Sequence, residues 1–138
     1  NIPNLYVDTD VLIRLLTGDD LKKQEACVTL FEKVDKGTLV LSAPDTVIAD
    51  AVYVLSSSKH YNLSRIEICG LLVSLLRYPN FKVENKQMLI KALDLYASEN
   101  IDFGDAVLAV FTLESQSKLI YSYDHDFDKI LDIKRKEP

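Results

Sequence analysis

Short apolar runs that suit β-strands alternate along this chain with longer amphipathic patterns that suit α-helices. The strand-like runs are continuously apolar rather than alternating, which is typical of parallel strands buried on both faces. Helices that alternate with such strands cover the two faces of one sheet. We therefore predict a three-layer α/β/α sandwich with a mostly parallel central sheet. Its strands are predicted at residues 5–7, 39–41, 81–83 and 119–123, with a last one near Ile133.

The helical segments carry their own start and stop signals. Helices are predicted over residues 45–58 and 103–117, the second of them apolar nearly all round. Ser64 with Glu67 forms a capping box for another helix, which Pro79 should end.

Length and composition indicate one ordered domain. The chain has 138 residues, 48% of them apolar, and no internal repeat or linker-like segment, so we predict a single domain over residues 1–138. No apolar run approaches the roughly 18 residues that span a bilayer, and no secretory leader pattern opens the chain. We expect a cytoplasmic protein with no membrane partner.

Two aspartates follow predicted strands directly. Asp8 comes after the first strand and Asp124 after the fourth. The carboxyl ends of parallel strands meet at one edge of the sheet, where the functional crevice of such folds lies. A structural interpretation stays open for both. Asp8 could cap the next helix, as could Asp10, and Asp124 opens an acidic stretch that is typical of a solvated turn.

Asp50 interrupts an apolar helical pattern. Val47, Ala51 and Val54 form a stripe whose spacing requires position 50, which predicts a core-facing carboxylate. A lone buried carboxylate costs several kcal/mol, so a cation should meet it. The alternative is an ion pair with a Lys or Arg that is distant in sequence.

Asp105 lies near the start of the most apolar helix of the chain. Asp102 stands three residues before it, at the predicted cap position. In the functional interpretation, Asp105 is a second carboxylate in apolar surroundings, as Asp50 is predicted to be. The structural one has both residues stabilising a helix N-terminus.

The four aspartates 8, 50, 105 and 124 come from elements that a parallel sheet brings together. Converging carboxylates repel and raise one another's pKa values unless cations separate them. A ligand set of oxygens alone suits Mg²⁺ or Mn²⁺, and such sites cleave phosphate esters by activating water and neutralising charge. The net charge of −5 disfavours a nucleic-acid partner, but discounting these four residues and Asp10 as ligands of cations removes it entirely. The chain has neither a GxGxxG nor a P-loop motif.

Four segments together resemble a known family. They are LYVDTDVLIRLL, TVIADAVYVL, IDFGDAVLAV and YSYDHDF, and in this order and spacing they resemble the PIN-domain ribonucleases of the VapC toxin type. The resemblance covers nearly the whole chain. It implies a Mg²⁺- or Mn²⁺-dependent endoribonuclease that cuts structured RNA such as a tRNA or rRNA loop. It also implies a homodimer and a cognate antitoxin that blocks the site.

By position, the resemblance assigns metal binding and catalysis to Asp8, Asp50, Asp105 and Asp124. It adds Asp10 and Asp102 as residues that would contact the ligands or bound water rather than the metal. We further interpret Arg14 and Ser122 as substrate contacts, with Arg14 as a solvated helix residue the alternative. The family usually carries Glu at position 50 and Asn at position 10, so the shorter Asp50 could misplace its carboxylate by ~1 Å and slow the reaction ~100-fold.

Two other functions fit parts of the sequence. VDTDV followed by the later Gly104–Asp105 pair also resembles haloacid-dehalogenase-like phosphatases, in which Asp8 would be the nucleophile; this leaves Asp50 unexplained. A catalytically weak or inactive PIN-like module that binds RNA or a partner protein is the other alternative.

Overall fold

The computed structural model describes residues 5–138 as an alternation of short strands and helices. None of the helices in this range is long and apolar enough to cross a bilayer. In chain order the elements are β1 Leu5–Tyr6, α1 Thr9–Leu16, α2 Leu21–Asp35, β2 Leu41–Ala43, α3 Asp45–Ser56, α4 Arg65–Leu76, β3 Phe81–Val83, α5 Lys86–Ser98, α6 Phe103–Glu114, β4 Leu119–Tyr121, a 3₁₀ turn His125–Lys129, and β5 Lys134–Lys136.

Every strand pair in the described range is parallel. One sheet has the order β1-β2-β3, and β4 pairs with β5. The predicted α/β class with a parallel central sheet is thereby confirmed. β2 begins two residues later than predicted, because the backbone N–H groups of Thr38 and Leu39 both donate to the carbonyl of Lys33 and close the end of α2. Gly37, with a φ of 78°, permits that turn.

The sheet presents two different faces. Leu41 and Ala43 of β2 and Phe81 and Val83 of β3 are buried on one face, where Phe31 of α2 packs edge to face on Phe81 with ring centroids 5.6 Å apart. The residues between them, Tyr6, Ser42 and Lys82, lie in register across the three strands. Tyr6 is 68% exposed, so the sheet is open to solvent at this row.

The helix boundaries follow local hydrogen bonds. The capping box of α4 is confirmed, since Ser64 Oγ accepts from the Glu67 N–H and the Glu67 carboxylate accepts from the Ser64 N–H, both at 3.2 Å. α4 ends at Leu76, ahead of Pro79. α6 ends three residues earlier than predicted. The Ser115 hydroxyl donates to the Thr112 carbonyl, and this side-chain hydrogen bond stabilises a turn in place of a further helical turn.

One arginine fixes where α6 begins. Arg65, at the start of α4, donates from Nη1 to the carbonyls of Tyr96, Glu99 and Ile101 at 3.0, 3.1 and 2.6 Å. Its guanidinium also lies 4.3 Å from the centroid of the Tyr96 ring. These bonds satisfy the carbonyls at the end of α5 and lead the chain into Asp102.

Candidate metal centre

Asp8 lies where β1 passes into α1. The Val7 N–H donates to the Ser42 carbonyl at 3.1 Å and holds the strand in place up to this residue. Asp8 Oδ1 then accepts from the Val11 N–H at 3.2 Å, so Asp8 caps α1, as one of the two interpretations predicted. The cap uses one carboxylate oxygen, so Oδ2 remains available as an acceptor.

Asp10 and Arg14 form an ion pair one turn apart on α1. Arg14 Nε lies 3.6 Å from Asp10 Oδ1, and Arg14 Nη1 lies 3.3 Å from Asp19 Oδ1. The Tyr61 hydroxyl also donates to Asp19, at 2.6 Å. Arg14 is therefore held between two acids, which differs from the solvated residue that one interpretation predicted.

Asp50 is exposed, and the prediction that it faces the core is wrong. The buried residues of α3 are Ile48, Ala51, Val52 and Leu55. With 3.6 residues per turn, Asp50 points about 150° away from the centre of that stripe. Thr9 Oγ1 donates to the Val47 carbonyl at 3.5 Å, which ties the start of α1, beside Asp8, to the first turn of α3. Asp50 thus lies on the solvent side of a helix that is anchored next to Asp8.

Asp105 is the half-buried member of an acidic cluster. Its pKa is raised above its usual value, first by burial and then by the charges of Asp124, Asp102 and Asp126. The first turn of α6 and the loop after β4 therefore do approach each other, as the topology predicted. Asp102 occupies the cap position of α6, but its side chain makes no capping hydrogen bond.

A PIN domain model matches residues 5–132 of this chain. The chain belongs to the PIN-domain family. It is also 28% identical, over 124 residues and 90% of each chain, to a VapC ribonuclease of Aquifex aeolicus (strain VF5). The resemblance seen in the sequence is confirmed, and with it a family whose members are typically nucleases. The family assignment removes the phosphatase alternative.

In this PIN domain, hydrogen bonds that involve its own side chains hold the conformation of the loop that carries Asp124. Asp124 Oδ1 accepts from the Asp126 N–H, and Ser122 Oγ accepts from the Asp124 N–H, both at 2.9 Å. Asp126 pairs with Lys129 at 2.9 Å. The Ser122 hydroxyl, which we interpreted as a substrate contact, is thus engaged by the turn.

Sequence reasoning missed the residue that anchors this loop. Arg135 of β5 donates from Nε to Asp128 and from Nη1 to the Ser122 carbonyl, both at 3.0 Å. Hydrogen bonds from Arg135 and from His125 lower the pKa of Asp128. No motif signals this cluster, because Arg135 reaches the loop only through the pairing of β5 with β4.

The donor chemistry of the cluster fits a hard divalent cation. Within residues 5–138, no three His, Cys, Asp or Glu side chains already stand in a ligand arrangement. The charges that act on Asp105 are all carboxylates, so a divalent ion would relieve the repulsion that raises its pKa. α3 and α6 pack against each other. Among the described residues, the carboxylates whose charges act on Asp105 are Asp124, Asp102 and Asp126, and Asp8 and Asp50 are not among them.

Proposed function

We propose that this PIN domain is a divalent-metal-dependent endoribonuclease and the toxin of a toxin–antitoxin pair. One observation carries the proposal: a half-buried carboxylate, Asp105, lies among three further aspartates whose charges disfavour its ionised form. A raised pKa means that the ionised carboxylate is disfavoured in the folded protein, and groups perturbed in this way concentrate at functional sites. Membership of a family of nucleases agrees with that interpretation.

Asp8, Asp50, Asp105 and Asp124 would hold Mg²⁺ or Mn²⁺. The bound metal would lower the pKa of water and neutralise charge on the phosphate. Asp50, exposed on α3, would orient the attacking water and accept its proton. The water oxygen would bond to phosphorus as the bond to the 3′ oxygen breaks. The 3′ oxygen would leave with the electron pair and take up a proton from solvent, and the other fragment would carry a 5′ phosphate. Asp10 and Asp102 would contact the metal ligands or bound water.

The proposed substrate is a loop of a structured RNA such as tRNA or rRNA, because unstacked bases of loops are the parts of RNA that proteins read. A cognate antitoxin would block the site, and the protein would act as a homodimer in the cytoplasm. The similarity to a protein named VapC ribonuclease supports these partners.

The test is metal-dependent cleavage of a structured RNA by Asp8→Asn and a matched control. Asp20 is that control, because it caps α2 through the Lys23 N–H at 3.0 Å just as Asp8 caps α1. Asn also caps helices, so both variants should fold. We expect Asp8→Asn to lose at least ~100-fold in rate and Asp20→Asn to keep the wild-type rate. Equal rates in all three proteins would refute the site.

The second candidate is an inactive module that binds RNA or a partner. It is favoured by the shortened Asp50 and by the lack of a ready-made ligand group within residues 5–138. Asp50 is exposed, so Asp50→Glu can restore the length usual in the family without disturbing the core. A rise in RNA cleavage supports the nuclease with a weakened site. No cleavage by either protein, together with retained RNA binding, supports the inactive module.

A further inference from the structure

A groove lies beside the proposed metal centre, between α3 and the start of α6. It has a volume of about 670 Å³, and we name it the α3–α6 groove. Its lining includes Ala49 and Tyr53 from α3, Leu63 from the segment before α4, and Asp102, Phe103 and Gly104 from the start of α6.

Tyr53 forms the aromatic wall of this groove. It is 73% exposed in the middle of a helix whose core face is complete without it. Asp50 precedes Tyr53 by one turn, so the carboxylate and the ring lie on the same side of α3. An aromatic ring in that position offers a flat surface one helical turn from Asp50, which is proposed to orient the attacking water.

Asp102 connects the groove to the acidic cluster. Its exposed side chain forms no capping hydrogen bond to α6, and its negative charge helps to raise the pKa of Asp105. The groove is therefore lined by a residue that lies one helical turn before Asp105, one of the carboxylates that would hold the metal. Arg65 also lines the groove, but its Nη1 is committed to three backbone carbonyls, so this wall is rigid.

We propose that the α3–α6 groove binds one unpaired RNA base next to the scissile phosphate, with the base stacked on Tyr53. This inference rests on the proposed nuclease function. An aromatic ring stacks on any base, and an Asp carboxylate accepts a hydrogen bond from an amino group such as N4 of cytosine. Asp102 should therefore favour a base that carries an amino group over uracil at this position.

Three variants distinguish the contribution of the Tyr53 ring from the contribution of open space in the groove. Tyr53→Ala removes the ring, and Tyr53→Phe keeps the ring without the hydroxyl. Gly104→Leu adds a bulky side chain to the lining of the groove, and a Cβ at Gly104 meets no atom within 4 Å, so the substitution causes no backbone clash. Replacing a helical glycine also favours the helix, so thermal melting should show an intact fold.

The probe is a set of fluorescein-labelled single-stranded RNA octamers. Their binding is measured by anisotropy in Ca²⁺, a hard cation that binds oxygen ligands and neutralises the carboxylates, and kcat/KM is then measured with Mn²⁺ on the same octamers. Tyr53→Ala and Gly104→Leu should weaken binding about 10- to 100-fold, whereas Tyr53→Phe should bind like the wild type. Asp102→Asn should reduce the preference for cytosine over uracil.

Unchanged RNA affinity in Tyr53→Ala and Gly104→Leu would overturn the inference. A protein partner would then be the remaining candidate occupant of the groove. If the wild type still cleaves RNA in that case, the nuclease proposal stands without the groove. If octamer binding depends on Tyr53 but no cleavage occurs with Mn²⁺ or Mg²⁺, the groove stands and the nuclease proposal fails. Failure of both binding and cleavage overturns both.

Discussion

Replacing Asp105 by Asn should make the metal-free protein more stable. The substitution keeps the shape of the side chain and removes a charge that is half-buried and repelled by Asp124, Asp102 and Asp126. A carboxylate retained only to stabilise the start of α6 would behave in the opposite way, because its charge favours a helix N-terminus. The sign of the stability change therefore separates a site residue from a structural one.

The expected size of the stability change follows from the partly exposed position of Asp105. The cluster is partly exposed, so solvent screening limits the net repulsion to ~1 kcal/mol. For a chain of 138 residues this corresponds to a rise in Tm of about 3–5 °C. Metal at ~100 times its Kd should stabilise the wild type by a further ~2.7 kcal/mol, roughly 10 °C. Asp105→Asn should lose most of that metal-dependent gain.

The assay is thermal unfolding in EDTA and in Mn²⁺, repeated at several pH values. A raised pKa in the folded state means that Asp105 costs stability when ionised, so the cost is absent below its usual pKa of 3.8 and grows as pH rises. The two proteins should have nearly equal Tm values near pH 3.5 and differ most at neutral pH. A lower Tm for Asp105→Asn in EDTA, or an unchanged Mn²⁺-dependent shift, would refute the reasoning.

Three further substitutions test how the elements around the site are held. Arg65→Met should destabilise the protein by about 2 kcal/mol in urea unfolding, because the carbonyls of Tyr96 and Ile101 lose the Arg65 donor while that of Glu99 keeps the Ile101 N–H; a loss below ~0.5 kcal/mol would contradict the role given to Arg65. Ser64→Ala should cost ~1 kcal/mol by the same measurement, since the capping box of α4 is lost, and Ser64→Asp should restore it. Hydrogen bonds from Tyr61 and Thr17 lower the pKa of Asp19, so its contribution to stability is present above pH 3.8 and is lost as pH falls through the lowered pKa. Asp19→Asn should therefore melt below the wild type at pH 7 and approach it in acid, and a constant difference across pH would show that the carboxylate charge is irrelevant.

The parts of the fold that depend on local pattern could be predicted from the sequence. Continuous apolar runs gave a parallel sheet, and the ends of those runs located Asp8 and Asp124. The approach of Asp105 to Asp124 followed from topology alone, because α6 leads into the strand that ends before Asp124.

The orientation of α3 could not be predicted in the same way. Its residues 47–55 are apolar at eight of nine positions, so more than one stripe fits the helical period. Packing against α1, α4, α5 and α6 selects the stripe that contains Ile48 and Leu55, and this turns Asp50 to solvent. The exposed position removes the argument that burial demands a cation at Asp50, while it leaves the carboxylate free to act on water or metal.

Long-range hydrogen bonds could not be predicted from the sequence either. Arg65 reaches carbonyls that lie 31 to 36 residues away, and Arg135 reaches the Asp124 loop only through strand pairing. Such contacts depend on the assembled fold and leave no periodic signal in the sequence.

Calorimetric titration with Mn²⁺ in the absence of RNA is the direct test of whether Asp8, Asp50, Asp105 and Asp124 together bind a divalent cation. The wild type and the capping control Asp20→Asn should bind Mn²⁺ with the same affinity. Asp124→Asn and Asp105→Asn should each weaken that binding at least ~10-fold. No heat of binding in the wild type at millimolar Mn²⁺, or equal affinity in all four proteins, would contradict the account.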